Sequence, residues 1–165
     1  MIPIGSLAKL KLPQALQPDG RQSLGGWVNH LRQLVGRNPL HLNQGFLKRM
    51  SQQTIRHHRG IRHDRRELRR IHQTLSRHQF TFLGENRVKA ASFRDMAWLL
   101  WFSPRHRSLL LDAEATHMGW QVSKQGTEYH AVMLLARQNS ENLSNPPDIT
   151  PQGPTVSRAQ PGRTP

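Results

Sequence analysis

The segment from Tyr129 to Ala136 is nearly all apolar, and a strand of that composition has to be covered on both faces. Just before it, Met118, Trp120 and Val122 alternate with other residues, and Lys124-Gln125-Gly126 supplies a turn. The spacing therefore predicts a hairpin whose second strand lies at the centre of a small sheet. Such a strand cannot be buried by one layer, so helices are required on both sides of the sheet.

The sequence upstream provides them. Leu24, Trp27, Val28, Leu31, Leu34 and Val35 follow the spacing of an amphipathic helix that stops near Asn38-Pro39, where proline disfavours continuation. A second helix is expected after a cap at Asn43, with Phe46, Leu47, Met50 and Ile55 on its buried side. Asp64 can cap a third, whose apolar stripe is Leu68, Ile71 and Leu75. Phe80 to Leu83 reads as a strand. Ser92 followed by Asp95 has the form of a capping box opening a helix with Phe93, Met96, Ala97, Leu100 and Trp101 inward, and Ser103-Pro104 stops it. The expected organisation is an extended arm over 1–23, one α/β domain over 24–137 and a disordered tail rich in Pro, Ser and Asn over 138–165.

Charge and residue types narrow the chemistry. The 165 residues carry 24 Lys and Arg against 10 Asp and Glu, a formal charge of +14, which favours an anionic partner. There is no cysteine, so disulfides, thiolate metal sites and cysteine nucleophiles are excluded. No run approaches the roughly 20 apolar residues of a membrane span. The first residues lack a continuous apolar run with a small-residue cleavage site, so no signal peptide is visible.

Two constellations stand out. The first is Gly84-Glu85-Asn86, then Asp95, then Ser103-Pro104-Arg105-His106-Arg107 ahead of the hairpin, which brings two carboxylates and a histidine on successive elements. Each has a simpler reading. Glu85 in a turn could accept from backbone amides, Asp95 suits the first turn of a helix dipole, and His106 could be a half-buried histidine after a helix stop. The second is the basic run with Arg56, Arg59, Arg62, Arg65, Arg66, Arg69 and Arg70, opposed by Asp64 and Glu67 alone. Spacings of three and four place several of these arginines on one helical face, suited to a phosphate backbone or an anionic lipid surface, or simply to solvent.

The order of these motifs resembles the CAP superfamily of cysteine-rich secretory, antigen 5 and pathogenesis-related proteins, in its cysteine-free bacterial branch. Gly84-Glu85-Asn86 is similar to the family's Gly-Glu-Asn, Ser103-Pro104-Arg105-His106-Arg107 to its Ser-Pro-Gly-His-Arg with Arg105 in the glycine position, and Thr116-His117-Met118-Gly119-Trp120 to its glycine strand. Asn29-His30-Leu31-Arg32 and Asn38-Pro39-Leu40 resemble its opening helices, and Ile61-Arg62-His63-Asp64 its Ser-His segment, so the likeness covers roughly residues 24 to 137. It implies an α-β-α sandwich with a small central sheet. It also implies a pocket of His63, Glu85, Asp95 and His106, in which His63 and His106 could hold Zn2+ or another divalent cation and the carboxylates could orient them.

The resemblance thus implies an exported bacterial binding module, monomeric, extracellular or periplasmic, taking a metal, a small ligand or a lipid in its cleft without catalysis. A hydrolase would use the same cleft, with a metal-bound water and Glu85 as general base. A polyanion binder would use Arg56 to Arg70 instead.

Overall fold

The computed structural model describes residues 23–42, 45–57 and 61–139. The expected arm up to residue 22, the tail from 140, the cap at Asn43, and Arg59 lie outside the described residues. In chain order the elements are α1 (Ser23–Leu34), β1 (His41–Leu42), α2 (Gly45–His57), α3 (Arg65–Arg77), β2 (Phe80–Ala90), α4 (Phe93–Phe102), α5 (Pro104–Leu110), β3 (His117–Gln125) and β4 (Glu128–Gln138). They build a four-stranded sheet in the order β1-β3-β4-β2, with β1 parallel to β3 and the other pairs antiparallel.

The apolar run expected to be central is β4, paired on both edges. Its side chains alternate between two cores, as the period of a strand requires. Val132, Leu134 and Ala136 pack with Leu47, Met50 and Ile55 of α2 and Ile71 and Leu75 of α3. Ala131, Met133 and Leu135 pack on the opposite face with α1, α4 and α5, through Leu24, Val28, Leu31, Met96, Leu100 and Leu110. The result is the α-β-α sandwich that a doubly covered strand demands. Among the described residues no helix is long and apolar enough to cross a membrane.

Local chemistry sets the helix starts. The Asp64 carboxylate accepts from the amides of Arg66 and Glu67 at 2.7 and 3.4 Å and opens α3. Ser92 accepts from the Asp95 amide at 3.1 Å and opens α4. Ser103 ends α4, as expected, but its hydroxyl also caps α5, with Pro104 in the first turn, where a missing N–H costs nothing. This short helix follows the stop signal immediately, and so a single proline both ends one helix and begins the next.

The largest departure from expectation is in β2. The strand does not end at Leu83 but continues to Ala90, so Gly84-Glu85-Asn86 lies within it and is not a turn. The full length of β4 offers it a partner, and Leu83 is the extra residue of a β-bulge, since Phe82 faces Ala136 and Gly84 already faces Leu135. The bulge reverses the alternation. Phe80 and Phe82 belong to the α2/α3 core, Leu83, Val88 and Ala90 to the other one, and Glu85 and Arg87 thereby turn toward α3.

Candidate functional site

Glu85 and Arg87, two residues apart on the α3 side of β2, are 8% and 4% exposed. Arg87 Nε donates to Glu85 Oε1 in an ion pair buried on both sides. Burial lowers the Arg87 pKa, while the negative charges of Glu67 and Asp64 act in the opposite direction. Glu67 is itself clasped: Thr54 donates to its Oε1 at 3.1 Å, and Arg70 donates to its two oxygens at 3.1 and 2.6 Å. A network of alternating charge, exposed at Arg70 and buried at Glu67, Glu85 and Arg87, therefore joins α2, α3 and the edge strand β2.

Above this pair stands His63, just before the α3 cap, with a half-exposed ring whose Nδ1 lies 3.8 Å from Glu85 Oε2. That is too long for a hydrogen bond. Although the carboxylate would favour a charged ring, partial burial first, and then the positive charge of Arg87 and the His106 imidazole, hold the His63 pKa below its ordinary value. Glu85 is thus the partner of Arg87 and not of His63. His106 reaches the same edge from α5. Its backbone carbonyl accepts from Asn86 Nδ2 at 3.1 Å, and its buried ring Nδ1, like Glu85 Oε2, has no hydrogen-bond partner among the described residues.

The structure brings His63, Glu85 and His106 to one edge of the sheet. Asp95 does not join them in its contacts. It is exposed in the first turn of α4, where it accepts from Ser92 Oγ at 2.7 Å, as the helix-capping reading of that residue has it. Among the described residues no three His, Asp or Glu side chains are gathered as metal ligands. With Glu85 taken by a guanidinium, the two imidazoles His63 and His106 alone do not make the three-ligand set of an open zinc site, and the residues present do not fit a divalent ion.

Arg87 was not among the residues singled out from sequence. The signal was there: opposite charges two apart inside a strand share a face, and a pair on a covered face must neutralise itself. The basic segment divides in two. Arg56, Arg62, Arg65, Arg66 and Arg69 are exposed, whereas Arg70 is committed to Glu67 and Gln53.

Histidines also set a pH dependence. His117 is buried, accepts or donates at Nδ1 to Thr116 Oγ1 at 2.8 Å and lies 4.8 Å from the His41 ring; burial first, then His41, lower its pKa, as burial does for His63. An unfolded histidine takes its proton near pH 6.5, before these folded ones do. The unfolded state then binds more protons, so stability is full above about pH 6.5 and falls as the pH drops through that value toward the lower folded pKa. Urea midpoints measured between pH 7.5 and 5.5 should decline, and less so in a His117→Asn protein; an unchanged slope in that variant would contradict the assignment.

Comparison with known proteins agrees with this architecture. No family model and no curated protein matches the sequence. Among solved structures, a cysteine-rich secretory protein of Staphylococcus aureus subsp. aureus Mu50 is similar at 21% identity and a TM-score of 0.51, over 68% of this chain and 37% of that one. An outer surface protein of Borrelia burgdorferi is similar at 15% identity and a TM-score of 0.55, over 72% of this chain and 92% of that one. An extracellular protein containing a SCP domain from Bacillus anthracis str. Ames has 20% identity and a TM-score of 0.48, over 71% of this chain and 40% of that one. This chain therefore spans well under half of the staphylococcal protein's length. The likeness establishes the fold, which is the cysteine-free CAP-type sandwich that the motif order resembles.

Proposed function

From this CAP-type fold we propose a monomeric, non-catalytic binding module, acting outside the cytoplasm, whose cleft at the β2 edge holds a small uncharged polar ligand. Secretion and surface exposure are the settings named for the staphylococcal and Borrelia neighbours, and they support the placement. The observation that carries the reading is the buried Arg87 guanidinium on Glu85. A divalent cation would have to approach a carboxylate that already has a positive partner, in a desolvated place where like charges repel strongly. What remains is one unpaired carboxylate oxygen, Glu85 Oε2, and one unpaired imidazole nitrogen, His106 Nδ1, with His63 beside them. Each suits a hydroxyl or amide, which can donate to the carboxylate oxygen or bond the ring nitrogen. A hydrolase would need Glu85 free to take a proton from water, a role that the Arg87 pair opposes.

Calorimetric zinc titration of the protein beside a His63→Ala, His106→Ala double variant is expected to give the same isotherm for both. A one-to-one site that vanishes in the variant would establish a metal centre and end this reading. In the wild-type protein, hydroxylated and amide-bearing small molecules should shift the His63 and His106 ring resonances without metal, and the double variant should not bind them.

A second reading, polyanion binding, is favoured by a separate observation. Arg62, Arg65, Arg66 and Arg69 are exposed and none is ion-paired among the described residues. Counterion release would make such binding weaken steeply with salt.

A further inference from the structure

Helix α4 is apolar well beyond the face it buries. Eight of its ten residues are apolar, yet Met96, Ala97, Leu100 and Trp101 suffice to seal the core. Outward it presents Leu99 at 48% and Phe102 at 40% exposure, with Trp98 stacked on Phe102 at 4.4 Å between ring centroids and 10° between planes. A helix with so much apolar surface is ordinarily buried more fully, so this outer face is fitted to something that the described residues do not supply.

Charge chooses the occupant. Arg94 lies one turn before Trp98 on the same row, and Arg105 lies just past Phe102; both are exposed and neither is ion-paired among the described residues. Asp95, one turn before Leu99, is the acid on that side, and it is hydrogen-bonded to Ser92. A second copy would bring arginine against arginine on chains that each carry +14. An anionic bilayer surface meets both halves of the pattern: Trp and Phe settle at the headgroup boundary, and arginines pair with lipid phosphates. We propose that the Trp98, Leu99 and Phe102 face of α4 docks on anionic membranes, with Arg94 and Arg105 at its rim. This surface is independent of the β2-edge cleft.

The full chain should co-float with vesicles of phosphatidylglycerol and phosphatidylcholine in equal parts and not with phosphatidylcholine alone. Leu99→Ser, Phe102→Ser should weaken partition about tenfold or more while lowering the urea midpoint only modestly, since neither side chain belongs to the sealed core. Bromine-labelled acyl chains should quench tryptophan fluorescence, and Trp98→Phe should remove most of that quenching without displacing the protein from the vesicles. Binding that persists in the serine variant but is abolished by Arg65→Ala, Arg66→Ala, Arg69→Ala would assign the membrane to α3 and overturn the proposal. So would quenching unaltered in Trp98→Phe, or no binding to anionic vesicles at all, which would leave a protein partner for this face.

Discussion

Replacing Arg32 with methionine is expected to lower the unfolding free energy by about 3 kcal/mol or more. Arg32 is completely buried, and among the described residues it has no carboxylate as an ion-pair partner. Four of its five donors are instead spread over main-chain carbonyls: Nε donates to Asn38 O at 2.7 Å, Nη1 to Leu110 O and Asp112 O at 2.8 and 2.9 Å, and Nη2 to Ala115 O at 3.2 Å. One side chain thus ties the end of α1 to the segment after α5 and to the approach to β3. Burial lowers its pKa, with Arg37 acting in the same direction and Asp112 against. Methionine fills much of the volume but satisfies none of the four carbonyls, and each one stranded away from water costs on the order of 1–3 kcal/mol. Lysine, with a compact ammonium in place of the planar fork, should recover only part of the loss. Urea unfolding of the three proteins at pH 7.5 checks this. A loss below about 1 kcal/mol for methionine would mean that water replaces the guanidinium.

How much of this was legible beforehand depends on how local each cause is. The caps at Asp64 and Ser92 and the β3–β4 hairpin are written in neighbouring residues, and they stand where the sequence places them. Two-residue β1 is held by a parallel pairing to β3, more than seventy positions away, and no short-range pattern announces it. The continuation of β2 through Gly84-Glu85-Asn86 depends on β4 as a partner and on a bulge at Leu83, neither of which a window of a few residues contains. For the site, motif order anticipated that His63, Glu85 and His106 would meet at one edge. The Ser92-Asp95 spacing already offered the helix-capping role that Asp95 takes, whereas nothing in the motifs announced that Arg87 would sit on Glu85. Arg32 is the same lesson on a helix: a charge four residues after Val28 and beside Leu31 stands on the buried face, and there it must find acceptors.

Gly119→Ala is expected to be about as damaging as the loss of Arg32, for a steric reason. Gly119 faces α2, and a Cβ built there would lie 2.5 Å from the carbonyl oxygen of Leu47 and 2.7 Å from its carbon. Backbone of a packed helix cannot rotate aside as a side chain does, so α2 would have to lift from the sheet and open the core of Leu47, Met50, Val132 and Leu134. A loss of about 3 kcal/mol or more should follow, outweighing the roughly 0.5–1 kcal/mol by which alanine ordinarily improves on glycine inside a strand. Gly84→Ala is the control. Its Cβ would meet Leu109 Cδ2 at 2.8 Å and Cδ1 at 3.0 Å, the far end of a flexible, half-buried side chain, and Leu109 can yield by changing rotamer. That variant should cost no more than about 1 kcal/mol. Two glycines on neighbouring motifs would then differ in cost because one faces main chain and the other faces a movable tip. Equal losses in urea unfolding would show instead that the approach of α2 to β3 is not what Gly119 provides.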